Sequence, residues 1–159
     1  MPWSQVKQFL DENQVPYVTI SHSPAYTAQG IAAAAHVKGK ELAKVVMIKV
    51  DGRLAMAVLP APYKVNFDKL REAIGCREVT LAAEEEFGHL FPDCELGAMP
   101  PFGNLYGLDV YVAKSLTEDE EIAFNAGTHS ELIRMAYKDF ERLVKPKVLS
   151  FTTHGAPTA

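Results

Sequence analysis

The stretch Lys44-Val45-Val46-Met47-Ile48-Lys49-Val50-Asp51-Gly52-Arg53-Leu54-Ala55-Met56-Ala57-Val58-Leu59 decides how this chain folds. Two runs rich in apolar residues flank an Asp-Gly dipeptide. That dipeptide suits a type I′ turn, whose two central residues both need positive φ and whose twist matches that of the flanking strands. Because both runs are nearly all apolar, the hairpin is expected to be covered on both faces. Pro60 and Pro62 end it, since neither can donate to a further ladder.

Outward from the hairpin, local signals alternate. Toward the N-terminus, Ser4 is positioned to cap a helix through Val6, Phe9 and Leu10, which Pro16 prevents from continuing. Tyr17 to Ile20 is aromatic and β-branched and reads as a strand. Thr27 is placed to cap a helical, alanine-rich segment from Ala28 to Val37. Toward the C-terminus, Asn66 is expected to cap an amphipathic helix with Phe67, Leu70 and Ile74 inward and Gly75 as its stop. A short helix is expected within Ala82–Phe87. Leu108–Val112, Glu121–Asn125 and Glu131–Met135 read as strands, and Tyr137–Val144 as a last helix. The order predicts an α+β fold, a curved, barrel-like mixed or antiparallel sheet surrounded by helices. One domain is expected over residues 1–150, with a frayed tail over 151–159.

Composition narrows the function classes. The chain has 159 residues, 48% of them hydrophobic, which favours one domain with a substantial core. A formal net charge of −4 does not suit a protein that wraps a nucleic-acid duplex, so any contact with nucleic acid must be local. Two cysteines outside any CxxC, and no signal peptide, point to a reducing, cytoplasmic setting. No apolar run approaches the length of a membrane span. The five histidines show no metal-ligand spacing, so no metal and no cofactor is expected. The serines lack a nucleophile elbow, and the glycines form no phosphate-binding fingerprint.

Three features remain that packing alone does not demand. Lys44 shares a strand face with Val46 and Ile48, at the mouth of a run expected to be buried. A lysine there either snorkels to water or meets an anion or carbonyl. Gly97-Ala98-Met99-Pro100-Pro101-Phe102-Gly103 is a stiff loop, and either it forms one wall of a pocket with Phe102 exposed to ligand or it is a rigid connection with Phe102 in the core. Asn125-Ala126-Gly127-Thr128-His129-Ser130 is either an ordinary turn or a bend whose amides converge on an oxygen of a ligand.

These stretches, in this order and together with His22-Ser23-Pro24-Ala25-Tyr26-Thr27-Ala28-Gln29 and Ala43-Lys44-Val45-Val46, resemble the YbaK-type aminoacyl-tRNA editing domains, akin to the one inserted in bacterial prolyl-tRNA synthetases. The resemblance spans Val15 to Val144. It implies a trans-acting deacylase that hydrolyses the ester of a tRNA mischarged with a small amino acid such as Ala, Ser or Cys. It assigns Lys44 and Gly127 to catalysis, and His22, Tyr26, Thr27, Pro100, Phe102, Gly103, Thr128 and His129 to substrate binding. Water, assisted by a ribose hydroxyl, would be the nucleophile. The implied partners are the acceptor end of an aminoacyl-tRNA and, secondly, an aminoacyl-tRNA synthetase. The competing reading is a non-catalytic module that binds aminoacyl-tRNA, a small ligand or a synthetase.

Overall fold

The computed structural model describes residues 5–21, 41–92, 94–95 and 98–154. The expected Ser4 cap and the expected helix from Ala28 to Val37, with its Thr27 cap, lie outside them.

The hairpin forms as its sequence demands. β2 (Ala43–Val50) pairs antiparallel with β3 (Arg53–Pro60) along their whole length, from Ala43↔Pro60 to Val50↔Arg53. The turn is left-handed at both positions, with φ 50° at Asp51 and φ 86° at Gly52, as a type I′ turn requires. Asp51 gains a second role: its Oδ1 accepts the amides of Arg77 and Glu78 at 3.0 and 2.9 Å. It thereby fixes the chain entering β5 (Val79–Leu81), which pairs with the end of β2.

β3 is central and mostly buried, whereas β2 is only partly covered. On its other side β3 runs parallel to β6 (Asp109–Ala113), and β6 runs parallel to β9 (Lys147–Leu149). The result is a mixed five-stranded sheet in the order β5-β2-β3-β6-β9. A second, antiparallel sheet has the order β1-β8-β7, from β1 (Tyr17–Ser21), β8 (Glu131–Ala136) and β7 (Glu121–Asn125). A parallel bridge between Leu42 and Ala123 ties the two sheets together. The fold is mixed α+β as expected, and among the described residues its strands are divided between sheets without closing into a barrel.

Alternation along the hairpin feeds two cores. Met47, Met56 and Val58 face a first core that also takes Ile122 and Phe124 of β7, Ile133 and Met135 of β8, and Val6 and Leu10 of α1 (Gln5–Glu12). Ile48, Ala55, Ala57 and Leu59 face a second core under α2 (Phe67–Ile74), which contributes Leu70. The Asn66 side chain accepts the Lys69 amide at 3.0 Å, and Gly75 closes α2 at φ 80°, so both ends of this helix follow their local signals. α3 (Glu84–Phe87) carries its three glutamates in the first turn, and α4 (Tyr137–Val144) buries Tyr137, Phe140 and Val144.

One expectation fails at the C-terminal end. Thr152–His154, expected to fray, forms β10 and pairs antiparallel with β4 (Tyr63–Val65). Phe151 explains why: its side chain is completely buried in the second core, and its carbonyl accepts the Asn66 amide at 2.7 Å. Anchoring at Phe151 holds the following residues against β4.

Two predictions follow from this packing. Asp51→Ala removes two hydrogen bonds and places alanine at positive φ, so it should lower stability by about 1–3 kcal/mol, read as a shift in urea midpoint at constant slope. The Tyr137 hydroxyl donates to Glu141 Oε1 at 2.9 Å; burial first, then this bond and the charge of Glu141, raise its pKa above the ordinary 10.0. A raised phenol contributes stability that is present below pH 10 and is lost as pH rises toward the folded-state value. The wild type should therefore lose stability more steeply above pH 10 than Tyr137→Phe, as measured by denaturant titration across that range.

Candidate active site

The structure brings two of the three singled-out stretches together. Within the loop that follows α3, Ala98, Met99, Pro100, Pro101, Phe102 and Gly103 are all buried; Gly97 lies outside the described residues. Opposite them is the turn between β7 and β8, where Gly127 has φ 99°. A ring of hydrogen bonds joins the two. The Gly127 amide donates to the Ala98 carbonyl at 3.0 Å, the Ala98 amide to the Glu95 carbonyl at 3.0 Å, and the Glu95 amide to the Gly127 carbonyl at 2.7 Å. The Glu95 carboxylate closes the set by accepting the His129 amide at 2.6 Å, a charge-assisted bond of the stronger kind.

This ring corrects part of the expected roles. The Gly127 amide is not available to a ligand oxygen, because Ala98 already accepts it. The Ala126 amide goes to the Glu131 carbonyl at 3.0 Å, and the Ser130 amide to Thr128 Oγ1 at 3.4 Å. Among the described residues the Thr128 amide is the one in this turn that meets no acceptor. Gly127 shapes the bend, and Thr128 is the donor the bend presents.

Phe102 is not a ligand wall either. It is completely buried, with ring centroids 5.4 Å from Phe140, 5.5 Å from Phe124 and 6.1 Å from Phe9. It joins α1, β7 and α4 in one aromatic cluster. Gly103 is likewise a packing residue: a Cβ there would stand 2.8 Å from Val110 Cγ2. Pro100 is buried beside them. These residues hold the Ala98 carbonyl where Gly127 needs it, so their contribution to a site runs through the backbone.

Lys44 stands on β2, two residues beyond the Leu42–Ala123 bridge. Its neighbours Ala43 and Val45 pack toward the first core, so its own stem leaves on the other face, as Val46 and Ile48 do. Across the hairpin it pairs with Leu59 of the second core. The Leu42–Ala123 bridge runs parallel and is isolated, and Asn125 ends β7 two residues beyond it. Asn125 alternates with Phe124, which packs in the first core. Its Oδ1 is buried and finds no hydrogen-bond partner among the described residues. Lys44 is half-buried, and among the described residues it has no carboxylate or hydrogen-bond partner. Its pKa is lowered, first by burial and then by the charge of Lys64 on β4. A cation held out of water beside a second cation is a place where an anion would be welcome. His22, Tyr26 and Thr27 lie outside the described residues.

Sequence reasoning missed Glu95 and Asn125 as individual positions. Glu95 is 34 residues from His129, and no local pattern announces the bond between them. Among the described residues no cluster of three His, Cys, Asp or Glu could hold a metal, and no helix is long and apolar enough to cross a membrane.

A two-core α+β domain built on a hairpin, with a half-buried lysine that has no counter-charge among the described residues and a glycine turn stapled to a proline-rich loop, is the class this fold defines. The chain belongs to the aminoacyl-tRNA editing domain family, whose model matches residues 22–143. It is 30% identical over 150 residues to the multifunctional Ser/Thr-tRNA deacylase ProXp-y of Escherichia coli (strain K12), covering 89% of this chain and 87% of that protein, and equally so to its counterpart in Escherichia coli O157:H7. In fold it is similar to the hypothetical protein APE2540 (TM-score 0.82, 19% identity, 93% of this chain and 99% of that one). It is also similar to the crystal structure of a protein suggested to be a trans-editing enzyme for prolyl tRNA synthetase (TM-score 0.78, 20% identity, 93% and 94% covered).

Glu95→Ala should loosen the stapled turn. Exchange of the His129 amide is expected to accelerate about tenfold or more, with a global loss of about 1–2 kcal/mol, checked by amide hydrogen exchange alongside urea unfolding.

Proposed function

We propose that this protein is a trans-acting aminoacyl-tRNA deacylase that hydrolyses the ester of a tRNA carrying a wrongly attached small amino acid. Family membership supports the reaction class. The observation that carries the reading to particular residues is Lys44, a half-buried cation without a counter-charge among the described residues, two residues beyond the bridge that joins its segment to the strand leading into the Gly127 turn.

The chemistry asks little of the protein. An aminoacyl ester is already activated, so positioning and charge stabilisation suffice. Water adds to the ester carbonyl carbon, the bond to the ribose oxygen breaks, and that oxygen leaves with a proton, giving free amino acid and an intact terminal ribose. Lys44 holds the acceptor end through a phosphate or the ester oxygen by a charge-assisted hydrogen bond. The Thr128 amide is the candidate donor to the developing oxyanion, with Gly127 and His129 setting its position. Substrate choice is steric, the logic of a second sieve that admits what a larger correct residue cannot enter. The E. coli relative's name specifies Ser- and Thr-tRNA, so serine and threonine head the candidates, followed by alanine and cysteine. The acidic balance of the chain is compatible with this reading because only the single-stranded acceptor end needs to enter. A synthetase that shares the tRNA is the natural second partner, and the reaction belongs in the cytoplasm.

The engagement of the Gly127 amide by Ala98 favours, as a second reading, a module that binds the acceptor end without cleaving it. Deacylation assays over a panel of mischarged tRNAs separate the two: release of amino acid supports the enzyme, and saturable association without release supports the module. Lys44→Ala should lower kcat/KM at least about 100-fold with an unchanged melting temperature; normal turnover by that variant would remove Lys44 from the mechanism.

The lowered pKa of Lys44 fixes the sign of the pH dependence. Activity that needs the charged ammonium is present at low pH and lost as pH rises through a value below that of an ordinary lysine. Lys64→Gln removes one of the two causes, so the alkaline limb of the kcat/KM profile should move to higher pH in that variant.

A further inference from the structure

At the other end of the hairpin a cavity of about 260 Å³ opens between the five-stranded sheet and the C-terminus of α2, lined among others by Arg53, Ala55, Gly75, Cys76, Asp109 and Tyr111. Its origin lies in the register. Asp109 pairs with Ala55 and Tyr111 with Ala57, and alternation puts Arg53, Ala55, Asp109 and Tyr111 on the same face. Ala55 and Tyr111 are the last members of the second core on this side. A methyl at position 55 leaves the space under Gly75 unfilled.

The polar groups around this space are not satisfied by one another. Tyr111 is 4% exposed, and its hydroxyl, which makes no hydrogen bond among the described residues, is not among the buried unpaired polar atoms and so opens to the cavity side. Burial raises its pKa, followed by the charges of Asp109 and Cys76, with Arg53 acting in the opposite direction; all four residues line the cavity. Arg53 and Asp109 form no ion pair among the described residues. Asp51 is different, because its Oδ1 is committed to the Arg77 and Glu78 amides. The end of α2, where the Arg71 carbonyl accepts the Gly75 and Cys76 amides at 2.9 and 3.4 Å, contributes the negative end of the helix dipole. One wall thus favours a cation, and Arg53 offers a forked site for a carboxylate. The volume lies below the roughly 300 Å³ at which pockets for drug-sized ligands begin. A single carboxylate beside a helix C-terminus suits an organic ammonium, which needs hydrogen-bond acceptors rather than a full ligand set.

We propose that this cavity binds a small free α-amino acid as its zwitterion, with the carboxylate on Arg53, the ammonium between Asp109 and the α2 C-terminus, and the Tyr111 hydroxyl bonded to the carboxylate. Six positions of β3 separate Arg53 from Leu59, the partner of Lys44, a distance of about 20 Å along the strand. The two sites are separate, and the failure of one proposal leaves the other standing.

The test is an amide NMR titration of the intact protein with L-alanine, with acetate and methylamine as the two half-ligands. Saturable shifts are expected at Arg53, Gly75, Cys76 and Asp109, with either half-ligand binding at least about tenfold more weakly. Arg53→Gln and Asp109→Asn, both at exposed positions and expected to fold normally, should each weaken L-alanine about tenfold or more, and Tyr111→Phe about threefold to tenfold. Absence of saturation at about 50 mM, shifts scattered away from these amides, acetate or methylamine matching L-alanine, or undiminished binding by Arg53→Gln and Asp109→Asn would each overturn the proposal.

Discussion

The register of β2 against β3 is the constraint on which the rest of the structure depends. In a strand, a slip of one residue turns every side chain to the opposite face. Such a slip would move Lys44 into the first core and Met47 out of it. The Asp51-Gly52 turn, left-handed at both residues, permits one register, and Asp51 reinforces it by capturing the amides that lead into β5. Burial then selects the same register independently, since Met47, Met56 and Val58 fill one core while Ile48, Ala57 and Leu59 fill the other. Where Lys44 stands is thus a consequence of events at the far end of the hairpin.

The junction between the sheets works by division of labour. Phe102, Pro100 and Gly103 contribute packing, Glu95 contributes a charge, and Gly127 contributes a backbone shape no other residue adopts cheaply. None of them needs to touch a ligand for the turn to be placed. Among the described residues, Lys44, Asn125 Oδ1 and the Thr128 amide are groups of these segments whose polar capacity is not consumed. The shape of the turn is thus set by packing and hydrogen bonds within the chain.

Much of this was legible in the sequence wherever a local signal sufficed. The Asp-Gly turn, the Asn66 cap, the Gly75 stop and the amphipathic helices at Phe67 and Tyr137 each depend on neighbours a few residues away. The strands β4, β5, β9 and β10 were not legible, because each is three residues long and exists only through a partner distant in sequence. The separation of the sheets was missed for the same reason, as was the Glu95–His129 bond. Phe102 was ambiguous because an aromatic in a proline-rich loop has the same pattern whether it stacks on a ligand or fills a core. Its three ring neighbours come from α1, β7 and α4, and no spacing within the loop encodes them. The resemblance to editing domains supplied the family, while the fate of the Gly127 amide emerged only from the hydrogen bonds.

The pairing of β10 with β4 has a practical consequence for protein engineering. Thr153 lies opposite Lys64, the residue whose charge is felt at Lys44. A fusion partner, purification handle or fluorophore grafted directly after His154, in place of residues 155–159, would begin its course next to that cationic pair, and an acidic linker there would act as a tethered counter-ion. Neutral spacers, or attachment through another part of the surface, would leave the local field as the native polypeptide sets it.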